Sequence, residues 1–145
     1  MPLPYSEKNI LYLLTILECI EKIDIYTIGY ATTKELLEAN DQQAFNATSH
    51  LLLVIGEETG KLEETLKEEI AFIAWEQISG LRNRLAHDYR GIDPDIVFQV
   101  CRFELPALKE ACRSMLKLLR VNNNDLNQWL GTFYFKHLGY LMKEE

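Results

Sequence analysis

Apolar residues recur at Ile10, Leu13, Leu14, Leu17, Ile20 and Ile23, the spacing of one helical face. No stretch of the chain alternates with period two for long enough to require a strand. That pattern confines the fold to the all-α class. Ser6 is the expected N-cap of this first helix and Gly29 its stop. Thr32 and Glu35 form a capping-box pattern opening a second helix, expected to run through Leu37, Leu51 and Ile55 to about Thr59. The polar run Asn40-Asp41-Gln42-Gln43 is the place where it could break.

A third helix is expected from about Lys67 to His87 or Tyr89, with Ala71, Trp75, Ile78, Leu85 and Tyr89 on one stripe. Gly91 supplies a stop, and Asp93-Pro94 a restart, with Asp as N-cap and Pro at the first helical position. Leu105-Pro106 bends or ends that short fourth helix, and a fifth continues through Leu108, Cys112, Met115 and Leu119. The run Asn122 to Asp125 reads as a linker before a last aromatic helix, from about Leu126 to Met142. The expected architecture is an antiparallel helical bundle of four to six helices. Residues 1–121 form the bundle domain, and residues 125–145 an aromatic helix packed on it or at an interface.

A length of 145 residues suits one domain, and 48% hydrophobic residues suffice for a core. The net charge of −7 argues against a broad electrostatic grip on nucleic acid, so an RNA partner would need a local basic patch. Cys19, Cys101 and Cys112 are odd in number and widely spaced, the pattern of small apolar core residues and not of a zinc site or disulfide framework. The first apolar stretch is interrupted by Glu18, Glu21, Lys22 and Asp24, so neither a signal peptide nor a membrane span is expected. A soluble cytoplasmic protein is the expectation.

The chemistry concentrates in Arg82-Asn83-Arg84-Leu85-Ala86-His87-Asp88-Tyr89, followed by Arg90. The chain has three histidines, and this one stands among arginines. An imidazole can move a proton near neutral pH, and guanidinium groups can hold phosphate oxygens. On one helix Arg82 and His87 lie about 140° apart, whereas Asn83 and His87 are an i,i+4 pair. Arg82 falls inside the apolar stripe, where it must snorkel, find an acidic partner such as Glu57, or meet an interface. Either the helix unwinds near His87 or two chains build the site together. A twofold dimer would bring Arg82, Arg84 and Arg90 of both copies into one cleft.

This octet resembles the Arg-x4-His-x-Tyr signature of the HEPN superfamily. The longer run from Trp75 to Asp93, with Leu105-Pro106-Ala107-Leu108 and the upstream Val54-Ile55-Gly56-Glu57, is similar to its HepT branch over roughly residues 35 to 120. The resemblance implies a helical homodimer with a composite site at its interface and metal-independent endoribonuclease activity. It also implies a role as the toxin of a two-component module, without a cofactor. The implied partner is an MNT-type nucleotidyltransferase antitoxin, which in some pairs attaches AMP to the motif tyrosine, here Tyr89. Carried over, the general acid/base is His87, Arg82 meets the charge growing on the phosphorane, Asn83 positions His87 or an oxygen, and Arg84 and Arg90 bind flanking phosphates.

Each residue also has a plainer role. His87 would suit the negative end of a helix as a simple cap, Arg82 an ion pair, and Tyr89 a core ring with a wet hydroxyl. His50 and His137 lack ligand-like neighbours one turn away and are expected to pack, so no metal site is anticipated. The tail aromatics Trp129, Phe133, Tyr134, Phe135 and Tyr140 pack on the bundle or extend an interface. The rival functional class is a non-catalytic helical module that binds nucleotide or assists a nucleotidyltransferase. A plain interaction bundle would do neither.

Overall fold

A computed structural model describes residues 5–142, and among these there is no strand. The chain winds through α1 (Lys8–Thr27), α2 (Thr33–Glu38), α3 (Gln43–Lys61), α4 (Glu64–Glu68), α5 (Trp75–His87), α6 (Pro94–Gln99), α7 (Leu105–Leu118) and α8 (Asn123–Leu130). The all-α helical bundle expected from the periodicity is what forms.

The centre of the bundle is α1. From Leu13 to Ile20 every residue is buried, so the helix is covered around its circumference and not on one face alone. Three neighbours do this: α3, α7 and the turns after α8. A fully buried Leu or Ile side chain contributes about 1.5–3 kcal/mol, and Leu13, Leu14, Ile16, Leu17, Ile20 and Ile23 all lie here.

Side-chain contacts fix the directions. Ser6 and Asn9, at the start of α1, donate to the Glu63 carboxylate just beyond α3 at 2.9 and 2.6 Å. Lys109 of α7 pairs with Glu21 of α1 at 2.7 Å, while Arg102 donates to the Thr27 carbonyl at the far end of α1 at 2.9 Å. Both α3 and α7 therefore run antiparallel to α1. On the other side of α3, Arg82 meets Glu57 and Tyr89 meets Asn46, so α5 is antiparallel to α3. The order across the bundle is α5, α3, α1, α7.

Several boundaries differ from expectation, each for a local reason. Asn40, Asp41 and Gln42 all adopt left-handed backbone (φ 48°, 56° and 67°), which breaks the second expected helix into α2 and α3. Ser6 is not the N-cap: α1 starts after Glu7, although the Ser6 hydroxyl accepts from Lys8 N at 3.2 Å. The third helix begins at Trp75 and not near Lys67. Its indole donates to the Lys67 and Ile70 carbonyls, and the Lys67 ammonium turns inward to the Thr59 carbonyl at 3.2 Å, tying α4 under the end of α3.

Pro106 removes a backbone donor, yet the rod from α6 to α7 does not end there. It widens over Val100–Glu104 into a π-turn, with the Leu105 N–H reaching back to the Val100 carbonyl. The expected linker Asn122–Asp125 is instead the reciprocal capping box of α8, with Asn122 and Asp125 exchanging hydrogen bonds at 2.9 and 3.0 Å. After α8 the aromatic tail runs in short turns, not one helix. Phe135 and Leu138 are buried, while Phe133 is 85% exposed.

All three cysteines are free and buried, and burial pushes the Cys19 and Cys101 thiols up to about 12 and Cys112 higher still. No helix among the described residues is long and apolar enough to cross a membrane. His137, expected to pack, instead clamps the tail. Its backbone N–H and Nδ1 meet the buried Glu18 carboxylate at 2.9 Å each. Replacing His137→Ala leaves that carboxylate with the backbone N–H alone and is expected to cost about 1–3 kcal/mol in urea unfolding, part of which Glu18→Gln restores in the same background. An unchanged midpoint would show that this contact does not hold the tail.

Candidate functional site

The octet sits where α5 crosses α3, and one glycine sets the approach. A Cβ built on Gly56 would lie 2.4 Å from Arg82 Cβ and 2.8 Å from Arg82 Cγ, distances no packed pair tolerates. The missing side chain of Gly56 is therefore the slot that admits the stem of Arg82. Glu57, the next residue on α3, accepts from Arg82 Nε at 2.7 Å and pairs with Nη2 as well. Arg82 Nη1 donates to Asn83 Oδ1 at 3.0 Å. Arg82 is thus half-buried, fixed in direction, and lines an open groove of about 300 Å³ with Asn83, Ser79 and Lys61. The acidic partner anticipated for it is Glu57.

Three residues past the buried Leu85, α5 has already ended. His87 is its last residue, and Asp88 leaves helical backbone (φ −144°, ψ 50°) while its N–H closes the last turn on the Arg84 carbonyl at 2.8 Å. Tyr89–Gly91 follow as a single tight turn. A Cβ on Gly91 would fall 2.4 Å from an Asp88 carboxylate oxygen, so a side chain there would make the Asp88 carboxylate swing aside. His87 is exposed, and among the described residues its ring has no hydrogen bond or ion pair. Arg84 and Arg90 are likewise exposed and unpaired among the described residues, so His87 and Arg84 of the octet and the adjoining Arg90 project into solvent uncommitted.

Within one chain, Arg82 and His87 are not brought together. The helix stays wound until His87, so Arg82 faces α3 while His87 points outward with Asn83 and Arg84. The unwinding that would have let one copy aim both at one phosphate is absent.

Tyr89 is neither a core ring nor fully free. It is 42% exposed, its ring lies 6.4 Å from that of Phe45, and its hydroxyl donates to Asn46 Oδ1 at 2.6 Å. Asn46 went unnoticed in the sequence, where nothing links it to a tyrosine forty-three positions on. His50, expected to pack, is exposed one helical turn from it. No group of three or more His, Cys, Asp or Glu capable of holding a metal ion occurs among the described residues.

The other flank of α5 is apolar and uncovered. A groove of about 760 Å³ runs between α5 and the α6–α7 rod, floored by Leu52 and Ile55 of α3. Phe72 and Phe103 stand on its walls at 65% and 76% exposure. Asn83 borders this groove and the Arg82 groove alike, which places it on the crest of the helix.

The chain is similar to several known proteins. A family model described as "Ribonuclease HepT-like" matches residues 16–115. A Methanocaldococcus jannaschii protein named as a proposed RNase is 28% identical over 107 residues, 73% of this chain and 85% of its own length. A Thermococcus cleftensis protein named as a probable ribonuclease HepT is 28% identical over 98 residues, 68% of this chain and 86% of its own. A second M. jannaschii protein, named as a gamma-glutamylcyclotransferase and proposed RNase, is 29% identical over 135 residues, 93% of this chain but 57% of its own. No solved structure matches at significant similarity. With an all-helical bundle, the octet at the end of α5 and a family match across both, the chain belongs to the HepT-like family of the HEPN superfamily.

Proposed function

We propose that the chain is a metal-independent endoribonuclease that works as a homodimer, its active site composed from the α5 crests of two copies. The observation that carries this reading is the His87 imidazole: exposed, unpartnered, and at the end of a helix whose arginine is already anchored and aimed. A proton-transfer group must be free to change partners, and His87 is free.

The dimer resolves the divergence within one chain. Two α5 helices meeting across a twofold axis place the outward His87 of each beside the Arg82 groove of the other. The groove between α5 and the α6–α7 rod, with Phe72 and Phe103, supplies the apolar surface such a contact needs.

RNA carries its own nucleophile, so the protein need only move protons and stabilise charge. One imidazole takes the proton of the ribose 2′-hydroxyl as its oxygen attacks the adjacent phosphorus. The bond to the 5′-oxygen then breaks, and an imidazolium protonates that leaving oxygen. The products are a 2′,3′-cyclic phosphate and a 5′-hydroxyl. Arg82 faces the negative charge growing on the phosphorane, Asn83 orients His87 or a phosphate oxygen, and Arg84 and Arg90 hold flanking phosphates.

Family membership also supports a role as a toxin restrained by a nucleotidyltransferase antitoxin of the MNT type. The hydroxyl of the half-exposed Tyr89, which donates to Asn46, is the group that would accept AMP, adding negative charge and bulk beside the cleft. A second reading is favoured by one observation, the Arg82–Glu57 pair, which offsets part of the charge a phosphorane would use. In it the chain is a non-catalytic module that binds nucleotide or assists a nucleotidyltransferase.

Cleavage of single-stranded RNA in excess chelator separates the two. The His87→Ala protein is expected to retain its fold and lose about 10²- to 10⁴-fold in rate; undiminished cleavage would remove His87 from the chemistry. Phe103→Asp, at an exposed position, is expected to halve the mass in solution and abolish cleavage, while a fully active monomer would sink the composite site. Gly56→Ala pushes against the Arg82 stem, and a loss of about 1–3 kcal/mol in chemical unfolding is expected together with slower cleavage. A neutral result would mean the slot is not needed.

A further inference from the structure

The end of α5 is the part of the site with the least core beneath it. Residues 86–91, which include His87, are exposed throughout, and Leu85 is the last buried residue before them. The backbone hydrogen bonds of this run stay within it and its immediate neighbours. Asp88 N–H reaches the Arg84 carbonyl, Gly91 N–H the Asp88 carbonyl, and Ile92 N–H the Tyr89 carbonyl. A helix end held only by local bonds opens easily, because few apolar contacts oppose it.

Tyr89 ties this run to α3. Asn46, Ser49, His50 and Leu53 follow the i, i+3, i+4, i+7 spacing and turn one face of α3 toward it. The Tyr89 ring lies 6.4 Å from that of Phe45, and its hydroxyl donates to Asn46 Oδ1 at 2.6 Å. Among these α3 residues, Leu85 and Tyr89 lies an open hollow of about 350 Å³. The ring is therefore not packed down on His50 and Leu53, and the hydroxyl bond spans the gap. Phe45 and Thr48, on either side of Asn46, are buried, so the backbone that carries Asn46 is a fixed point.

We propose that Asn46 is a positioning residue for the cleavage reaction: by accepting from Tyr89 it pins the end of α5, and with it the direction in which His87 is presented. It rests on the ribonuclease reading for the reaction, though not for the pin itself. Asn46 acts through Tyr89 and needs no contact with substrate. Preorganisation of this kind lowers the barrier without adding affinity for RNA, so its loss shows in kcat and not in KM.

The bond can be removed from either end. Tyr89→Phe takes the donor and keeps the ring, whereas Asn46→Leu takes the acceptor and keeps the volume. Each is expected to lower kcat for metal-free cleavage of single-stranded RNA about 3- to 10-fold, with KM nearly unchanged. The double variant is expected to be no slower than either single one, because both remove the same interaction. Asn46→Asp keeps an acceptor of the same length and is expected to recover most of the lost kcat, its added charge raising KM instead.

Amide hydrogen exchange of the full chain reads the pin without RNA. Exchange at Asp88, whose N–H closes the last turn of α5, is expected to rise roughly 3- to 10-fold in Tyr89→Phe and Asn46→Leu, with the buried run of α1 unchanged. Unchanged exchange at Asp88 overturns the pin, and exchange rising equally in α1 replaces it with a general loss of stability. Additive losses in the double variant, or wild-type kcat in both single ones, overturn the positioning role. If wild type cuts no RNA, that role falls with the ribonuclease reading, and exchange at Asp88 still decides the pin.

Discussion

The site depends on the contact between Gly56 and Arg82. A helix pair normally keeps a layer of side chains between its backbones, but here α3 offers no Cβ and the stem of Arg82 fills the space. Once the stem is fixed, Glu57 receives the guanidinium from the next position along the same helix. The pair is partly exposed, so its net contribution to stability is about 0–1 kcal/mol at most. Its consequence is directional. The rotation of α5 about its own axis is set by this slot, which decides that Asn83, Arg84 and His87 face outward.

That rotation also explains why α5 is so poorly buried. Among its thirteen residues only Leu81 and Leu85 are buried, against the unbroken buried run from Leu13 to Ile20 in α1. A helix with two core anchors and an arginine on its inner face contributes modestly to the hydrophobic core. It leaves an apolar groove on one flank and an ionic groove on the other. Stability resides in the α3–α1–α7 layers, sealed by the Glu18–His137 contact and by Phe135 and Leu138 of the tail, and α5 is carried on them as a presented edge. This division suits a site assembled from two copies, because the presented edge can dock without disturbing the core.

The fold class and the octet were legible because both are written in local pattern. Helical period needs only neighbours three and four positions away, and the Arg82, His87 and Tyr89 spacing is contained in eight residues. The Glu57 partner of Arg82 was also accessible, since an arginine inside an apolar stripe demands an acid. What the sequence did not disclose was long-range or backbone-dependent. The left-handed run at Asn40, Asp41 and Gln42 is invisible to hydrophobic periodicity, and the capping box at Asn122 resembles a linker when only its polarity is read. Glu18 looked like an interruption of an apolar face, whereas its burial depends on His137, 119 residues away. The face of α3 bearing Asn46, Ser49 and His50 has the right spacing, but nothing in sequence says which helix lies opposite.

Acidity and RNA chemistry are compatible in this geometry. Arg82 is the one guanidinium of the octet tied to a carboxylate, whereas Arg84 and Arg90 have none within reach of an ion pair among the described residues. Several acids are engaged elsewhere, Glu18 under the tail, Glu21 on Lys109, Glu63 at the start of α1 and Glu58 on Lys61, while Asp88 and Asp93 stand in the turn beside Arg84 and Arg90. Among the described residues Arg84 and Arg90 are therefore unpaired cations at the end of α5, offset in part by Asp88 and Asp93 in the adjoining turn. Such a field acts over roughly one Debye length, about 8–10 Å at ordinary ionic strength. It reaches the phosphates on either side of a bound ribose but not a long stretch of backbone. A protein so arranged cannot hold RNA by charge alone. On the ribonuclease reading, the rest of its grip on RNA would come from shape and polar contacts around the end of α5.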